Sequence, residues 1–136
     1  MSELFRISDD KEALQPAVIL SLLRQTYWAA QRTAEQMETA IGCSLCYGAY
    51  ESASGRQVGF ARVVTDFVCF YYICDVVVDE DFRGQGVGKA LMAAISSDGR
   101  FNRLRGLLVT ASAHGLYEQY GFTRADDMHM GKAPVR

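Results

Sequence analysis

The stretch VVVDEDFRGQGVGKALM, residues 76–92, carries the most legible chemistry in the chain. An apolar run that reads as a strand enters a corner holding Gly84, Gly86 and Gly88, and a helical pattern follows. The first N–H groups of a helix have no intrahelical partner, and the aligned peptide dipoles place partial positive charge there. Glycines let a ligand approach that backbone closely, and Arg83 and Lys89 add formal charge, so the corner suits a phosphate. Two common phosphate loops fail at named positions. A Walker loop needs glycine where Arg83 stands and a hydroxyl where Ala90 stands, and a dinucleotide fingerprint starting at Gly84 needs glycine at Lys89. Cys43 and Cys46 have zinc-like spacing, but Cys69 and Cys74, five residues apart on a strand, point to opposite faces. The reading is therefore no metal and no disulfide, with all four cysteines reduced and packed as small hydrophobes.

The elements around the corner follow from periodicity. Residues 3–8, ELFRIS, read as a short first strand. Leu14, Val18, Leu22 and Leu23 fall on one side of a helix that breaks around Tyr27 and Trp28, and a second helix opens at Thr33 as N-cap and closes at Gly42. SLCYGAYES and RQVGFARVVTD alternate about Ser54 and Gly55, the pattern of a hairpin. FVCFYYICDVVVD is aromatic and β-branched and reads as a central strand. After the glycines, Val87, Leu91, Met92 and Ile95 form a buried helical stripe. A short strand GLLVT, a helix SAHGLYEQY and a terminal stretch able to form one hairpin complete the order. With 136 residues and 49% hydrophobic content the chain reads as one domain, residues 1–136, of α/β (α+β) class with helices covering a mixed central sheet.

Composition narrows the partners. Fourteen Lys and Arg stand against 16 Asp and Glu, for a formal charge of −2. With no polybasic block, neither a nucleic acid nor an anionic membrane is indicated as partner. No apolar run reaches the roughly 18 residues of a membrane span, and the first residues lack the layout of a signal peptide, so a cytoplasmic protein is expected.

The pattern Arg83-x-x-Gly86-x-Gly88 directly after a long apolar strand resembles the pyrophosphate-binding motif of the GNAT superfamily of acyl-CoA N-acetyltransferases. AHGLYEQYGF, residues 113–122, is similar to that family's Ala-x-x-x-Tyr-Glu-x-x-Gly-Phe helix and follows the expected short strand. With the leading helices and the hairpin, the resemblance spans essentially the whole chain. It implies acetyl-CoA as acyl donor, held by Arg83, Gly84, Gln85, Gly86, Val87, Gly88 and Lys89. It also implies that the backbone of Val76, Val77 and Val78 pairs with the pantetheine arm in a cleft between splayed strands. Thr110 stands where the family often has an Asn that helps fix that arm.

Acetyl transfer from a thioester to an amine needs a neutral amine, a polarised carbonyl and a proton for the leaving thiolate. Backbone N–H groups on the splayed strand meet the second need. Tyr117 matches the family's catalytic tyrosine; a phenol, with a pKa of about 10, stays protonated at neutral pH and can donate. Asp75 interrupts a central strand, where desolvation is expected to raise its pKa towards that of a general base, with His114, Asp66 and water as rivals. The first two helices and their connection wall the acceptor cleft in this family, which points to Tyr27, Trp28 and Arg32; Arg32 could grip a carboxylate or phosphate. The expected acceptor is a small-molecule amine, with a protein amino group, or a non-catalytic acyl-CoA-binding role, as alternatives. A homodimer is compatible with this reading.

Overall fold

The computed structural model describes residues 4–124 and 128–135. Five strands form one sheet in the order β1-β2-β3-β4-β5, comprising β1 (Phe5–Ser8), β2 (Leu45–Glu51), β3 (Gln57–Thr65), β4 (Phe70–Val78) and β5 (Arg105–Leu108). The first four are antiparallel neighbours, and β5 runs parallel to β4 after a crossover through α3 (Val87–Ser96). The α/β class and the mixed sheet flanked by helices are as expected from sequence.

Two apolar clusters hold the layers together. On one face, α1 (Pro16–Leu23) and α2 (Ala34–Gly42) bury Ile19, Leu22, Leu23 and Met37 against Phe60 and Val77. On the other, α3 buries the expected stripe of Val87, Leu91, Met92 and Ile95 against Ala49, Val58, Ala61, Val63 and Ile73. Pro16 opens α1 at a position that needs no N–H donor. Thr33 caps α2 in a reciprocal box: its hydroxyl accepts from Gln36 N–H, and the Gln36 side chain accepts from Thr33 N–H.

An irregularity in β4 decides which way its charged residue points. Arg62 pairs with Asp75, but Val63 pairs with Ile73, so Cys74 has no opposite residue on β3. In an unbroken strand Ile73 and Asp75 would share a face. The extra residue instead leaves Ile73 in the α3 cluster and sends Asp75, like Val77 two residues on, to the α1–α2 face.

Two expectations need correction. Cys43 and Cys69 are exposed, so the picture of four buried thiols holds only for Cys46 and, in part, Cys74. Cys43 caps the end of α2, and Cys69 lies in the β3–β4 turn, where neither can pack. The expected terminal hairpin is not seen in residues 122–124 and 128–135, which carry no strand; residues 125–127 of that segment lie outside the described residues. Among the described residues no helix is long and apolar enough to cross a membrane.

Candidate active site

The parallel pairing of β4 with β5 runs only from Phe70↔Arg105 to Ile73↔Leu108. Beyond it, β5 ends and Val109 turns outward, 83% exposed, while β4 continues to Val78 along β3. Among the described residues Val76, Val77 and Val78 therefore have a strand on one side only, which leaves a backbone edge able to accept an extended ligand.

The end of that edge meets the glycine corner. Gly84 and Gly86 have φ of +79° and +88°, backbone positions that side-chain-bearing residues rarely adopt. Gly86 is the N-cap of α3 and offers no side-chain cap; the first helical bond is Ala90 N–H to the Gly86 carbonyl, 2.9 Å. The preceding N–H groups of α3 are thus left for a ligand. A Cβ at Gly84 or Gly86 would meet nothing within 4 Å, and one at Gly88 only Val78 and Leu116 at 3.8 and 3.9 Å. These residues, with Phe82, Arg83, Val87 and Lys89, line a hollow of about 420 Å3. Arg83 points its Nε–H back to the Val78 carbonyl at 3.3 Å, which places its charge beside the strand end. The residues present fit a pyrophosphate: an open helix terminus, room without side chains, and two cations.

A short helix, α4 (His114–Glu118), closes the other side. Leu116 reaches the glycine hollow, and the Tyr120 hydroxyl donates to the Lys89 carbonyl at 2.9 Å, tying the turn that follows α4 to α3. Tyr117, His114 and Thr110 line a second hollow of about 940 Å3 that follows β5. The Thr110 hydroxyl accepts from Ala113 N–H at 3.0 Å, shaping the turn into α4 while leaving its own proton to donate. Burial raises the pKa of Tyr117, and the hydroxyl of Tyr27 raises it further. Tyr117 is therefore protonated at neutral pH, and the α1–α2 connection stands within electrostatic reach of it.

Asp75 is not what its position in the sequence suggested. It is fully buried, and three donors converge on it: Trp28 Nε1–H on Oδ1 at 3.0 Å, and Arg32 Nη1 and Arg62 Nε on Oδ2 at 2.6 and 2.8 Å. Burial alone would raise its pKa, but the bonds from Arg32 and Arg62 outweigh it and hold the carboxyl below the usual range. The expected upward shift is thus reversed, and with it the rationale for Asp75 as general base. Asp66 fails as well. It lies in the β3–β4 turn, at the far end of β4 from Val78, where backbone N–H groups of Cys69 and Val68 keep it ionised.

The same geometry qualifies the acceptor residues. Tyr27 is 73% and Trp28 43% exposed, packed edge to face with ring centroids 5.1 Å apart. The Trp28 ring is therefore partly open to solvent, while its indole N–H is committed to Asp75. Arg32 joins them at Asp75 and so belongs to the same corner. Sequence reasoning missed Arg62, whose Nη1 also donates to Ser44 Oγ at 3.0 Å, and Phe82 and Leu116 in the glycine hollow. Arg62 was detectable, because a charge interrupts the alternation of β3 much as Asp75 interrupts β4. Among the described residues no group of three or more His, Cys, Asp or Glu side chains gathers into a metal site.

Comparison with known proteins agrees with this geometry. Residues 25–124 match the family model described as an acetyltransferase (GNAT) domain. A crystal structure of a GNAT-family protein from Xanthomonas campestris is 38% identical, superposes with a TM-score of 0.88, and pairs 96% of this chain with 93% of that one. Serotonin N-acetyltransferase 2 of Oryza sativa is 33% identical over 87 residues, 62% of this chain and 44% of the rice protein. A Gibberella zeae relative whose name also carries acetyltransferase is 26% identical over 110 residues, 68% of this chain and 62% of its own. The chain spans between 40% and 62% of the length of the curated relatives it matches. A family match across the splayed strand, the glycine corner and α4 leads to one conclusion: the chain belongs to the GNAT acetyltransferases.

Proposed function

We propose that the chain, as a single domain, is an N-acetyltransferase that moves the acetyl group of acetyl-CoA to a small-molecule amine by direct attack in a ternary complex. The observation that carries this reading is that the open edge of Val76–Val78 runs into the side-chain-free α3 terminus at a hollow that Leu116 of α4 also lines, with Tyr117, the next residue of α4, lining the hollow along β5. In that reading the N–H groups at the α3 terminus, Arg83 and Lys89 hold the pyrophosphate. The β4 edge and the Thr110 hydroxyl hold the pantetheine arm, and β4 N–H groups polarise the thioester carbonyl. The neutral amine, having lost a proton to water, forms the C–N bond as the C–S bond breaks. Tyr117 gives its proton to the departing sulfur, the newly acylated nitrogen sheds its extra proton to solvent to leave the amide, and Tyr117 is reprotonated from solvent. The rice relative's name carries serotonin, an amine on an aromatic body, and the exposed Tyr27–Trp28 pair suits an acceptor with an apolar or aromatic part.

The test is acceptor-dependent release of CoA across an amine panel, by wild type and by Tyr117→Phe. Turnover that falls at least about 100-fold in the variant, with acetyl-CoA affinity kept, supports the reading. Acetyl-CoA binding without turnover on any amine would instead support a binding module.

A further inference from the structure

We infer that the acceptor amine carries an anionic group, a carboxylate or a phosphate, which binds against Arg32; the inference rests on the acetyl-transfer reading above. Its ground is an imbalance of charge. Arg32 and Arg62 both bond the same Asp75 oxygen, and the third neighbour, Trp28, is also a donor. Two guanidinium groups on one carboxylate leave one surplus positive charge, since arginine does not titrate in a protein. Among the described residues neither guanidinium pairs with a second carboxylate.

The surplus is reachable at one place. Asp75 is completely covered, and the Arg62 side chain is only 11% exposed with its Nη1 committed to Ser44, whereas the Arg32 side chain is 27% exposed. Arg32 spends Nη1 on Asp75 and the Met37 sulfur, and Nε and Nη2 make no hydrogen bond among the described residues. A half-desolvated cation with a free edge is a receptor for a planar carboxylate or a phosphate.

Position ties this receptor to the reaction. Asp75 immediately precedes Val76, the start of the open β4 edge; Trp28 bonds Asp75, and Tyr27, packed on Trp28, lies within electrostatic reach of Tyr117. An acceptor anchored by its anion at Arg32 would lie along the aromatic pair with its amine directed to the cleft. The bulge at Cys74 is the device that makes this arrangement, because without it Asp75 would face α3 and could not recruit Arg32.

Trp28 is the chain's only tryptophan, so its fluorescence reads acceptor binding without turnover. The CoA-loaded protein is titrated with two matched pairs, glucosamine 6-phosphate against glucosamine and phenylalanine against phenethylamine. The sugar pair tests phosphate with an amine of nearly unchanged basicity, and the aromatic pair tests carboxylate. The expected result is that the member carrying the phosphate or carboxylate in at least one pair binds about ten- to a hundredfold more tightly than the partner that lacks it. Arg32→Gln should bring that ratio close to one while thermal unfolding stays cooperative. Arg32→Lys, which keeps the charge that steadies Asp75, should give an intermediate ratio. Equal dissociation constants, no binding by either member of either pair, or a preference that survives Arg32→Gln would each overturn the inference. Preferential binding without any CoA release would leave it standing and defeat the acetyl-transfer reading alone.

Discussion

Tyr117 and Asp75 show how far a residue's type predicts its chemistry. A phenol is already protonated at neutral pH, and burial and Tyr27 push the pKa of Tyr117 further up, which is the state the proposed donor role requires. The rate should therefore hold on the alkaline side until the pH passes the ordinary phenol value of about 10, and Tyr117→Phe should remove that limb with its proton donor. A pH–kcat profile of both proteins checks this. Asp75 went the other way because its pKa is set by partners 13 and 43 residues away in sequence, Arg62 and Arg32. Its folded pKa is lowered, so its contribution to stability is present above the unfolded value of about 3.9 and is lost as pH falls below it. Asp75→Asn should cost about 3–5 kcal/mol at neutral pH by leaving two arginines unbalanced, and should flatten the acid limb of stability. Urea unfolding between pH 2 and pH 7 measures both effects.

At the scale of elements, the glycine corner was legible because its requirements are backbone requirements. Positive φ at Gly84 and Gly86 and an uncapped helix terminus need particular residues at particular spacings, and no distant partner alters that. The bulge at Cys74 was not legible, since nothing in FYYICDVVV says which residue lacks an opposite until β3 is laid beside it. Gly88 separates the function of the corner from its stability. A methyl there meets Val78 and Leu116 only at ordinary contact distance, within a helix that favours alanine over glycine by up to about 1 kcal/mol. Gly88→Ala should therefore unfold no earlier than wild type, yet the methyl enters the phosphate hollow and should weaken acetyl-CoA about tenfold or more. Calorimetric titration beside a melting curve distinguishes the two. At α2, Thr33→Ala should remove about 1 kcal/mol, the value of the cap, and should show as an earlier denaturant midpoint.

On the scale of the whole molecule, one sheet with helices on both faces gives each of its two apolar clusters a separate task. The α3 cluster seats the glycine-lined helix terminus against β3 and β4, and the α1–α2 cluster holds the aromatic pair and Arg32 over Asp75. This division was readable in outline from the stripe on α3 and the break at Tyr27 and Trp28, since amphipathic periodicity reports which face is buried. The expected β5 and α4 are both present, but residues 122–124 and 128–135 were not legible, because so short a stretch carries little periodicity. The most direct measurement of the central claim is CoA release from acetyl-CoA in the presence of an amine panel, run beside the acetyl-CoA-induced shift in melting temperature. The account predicts a higher melting temperature with acetyl-CoA and release that depends on the amine and on Tyr117. No shift in melting temperature and no release with any amine would contradict it.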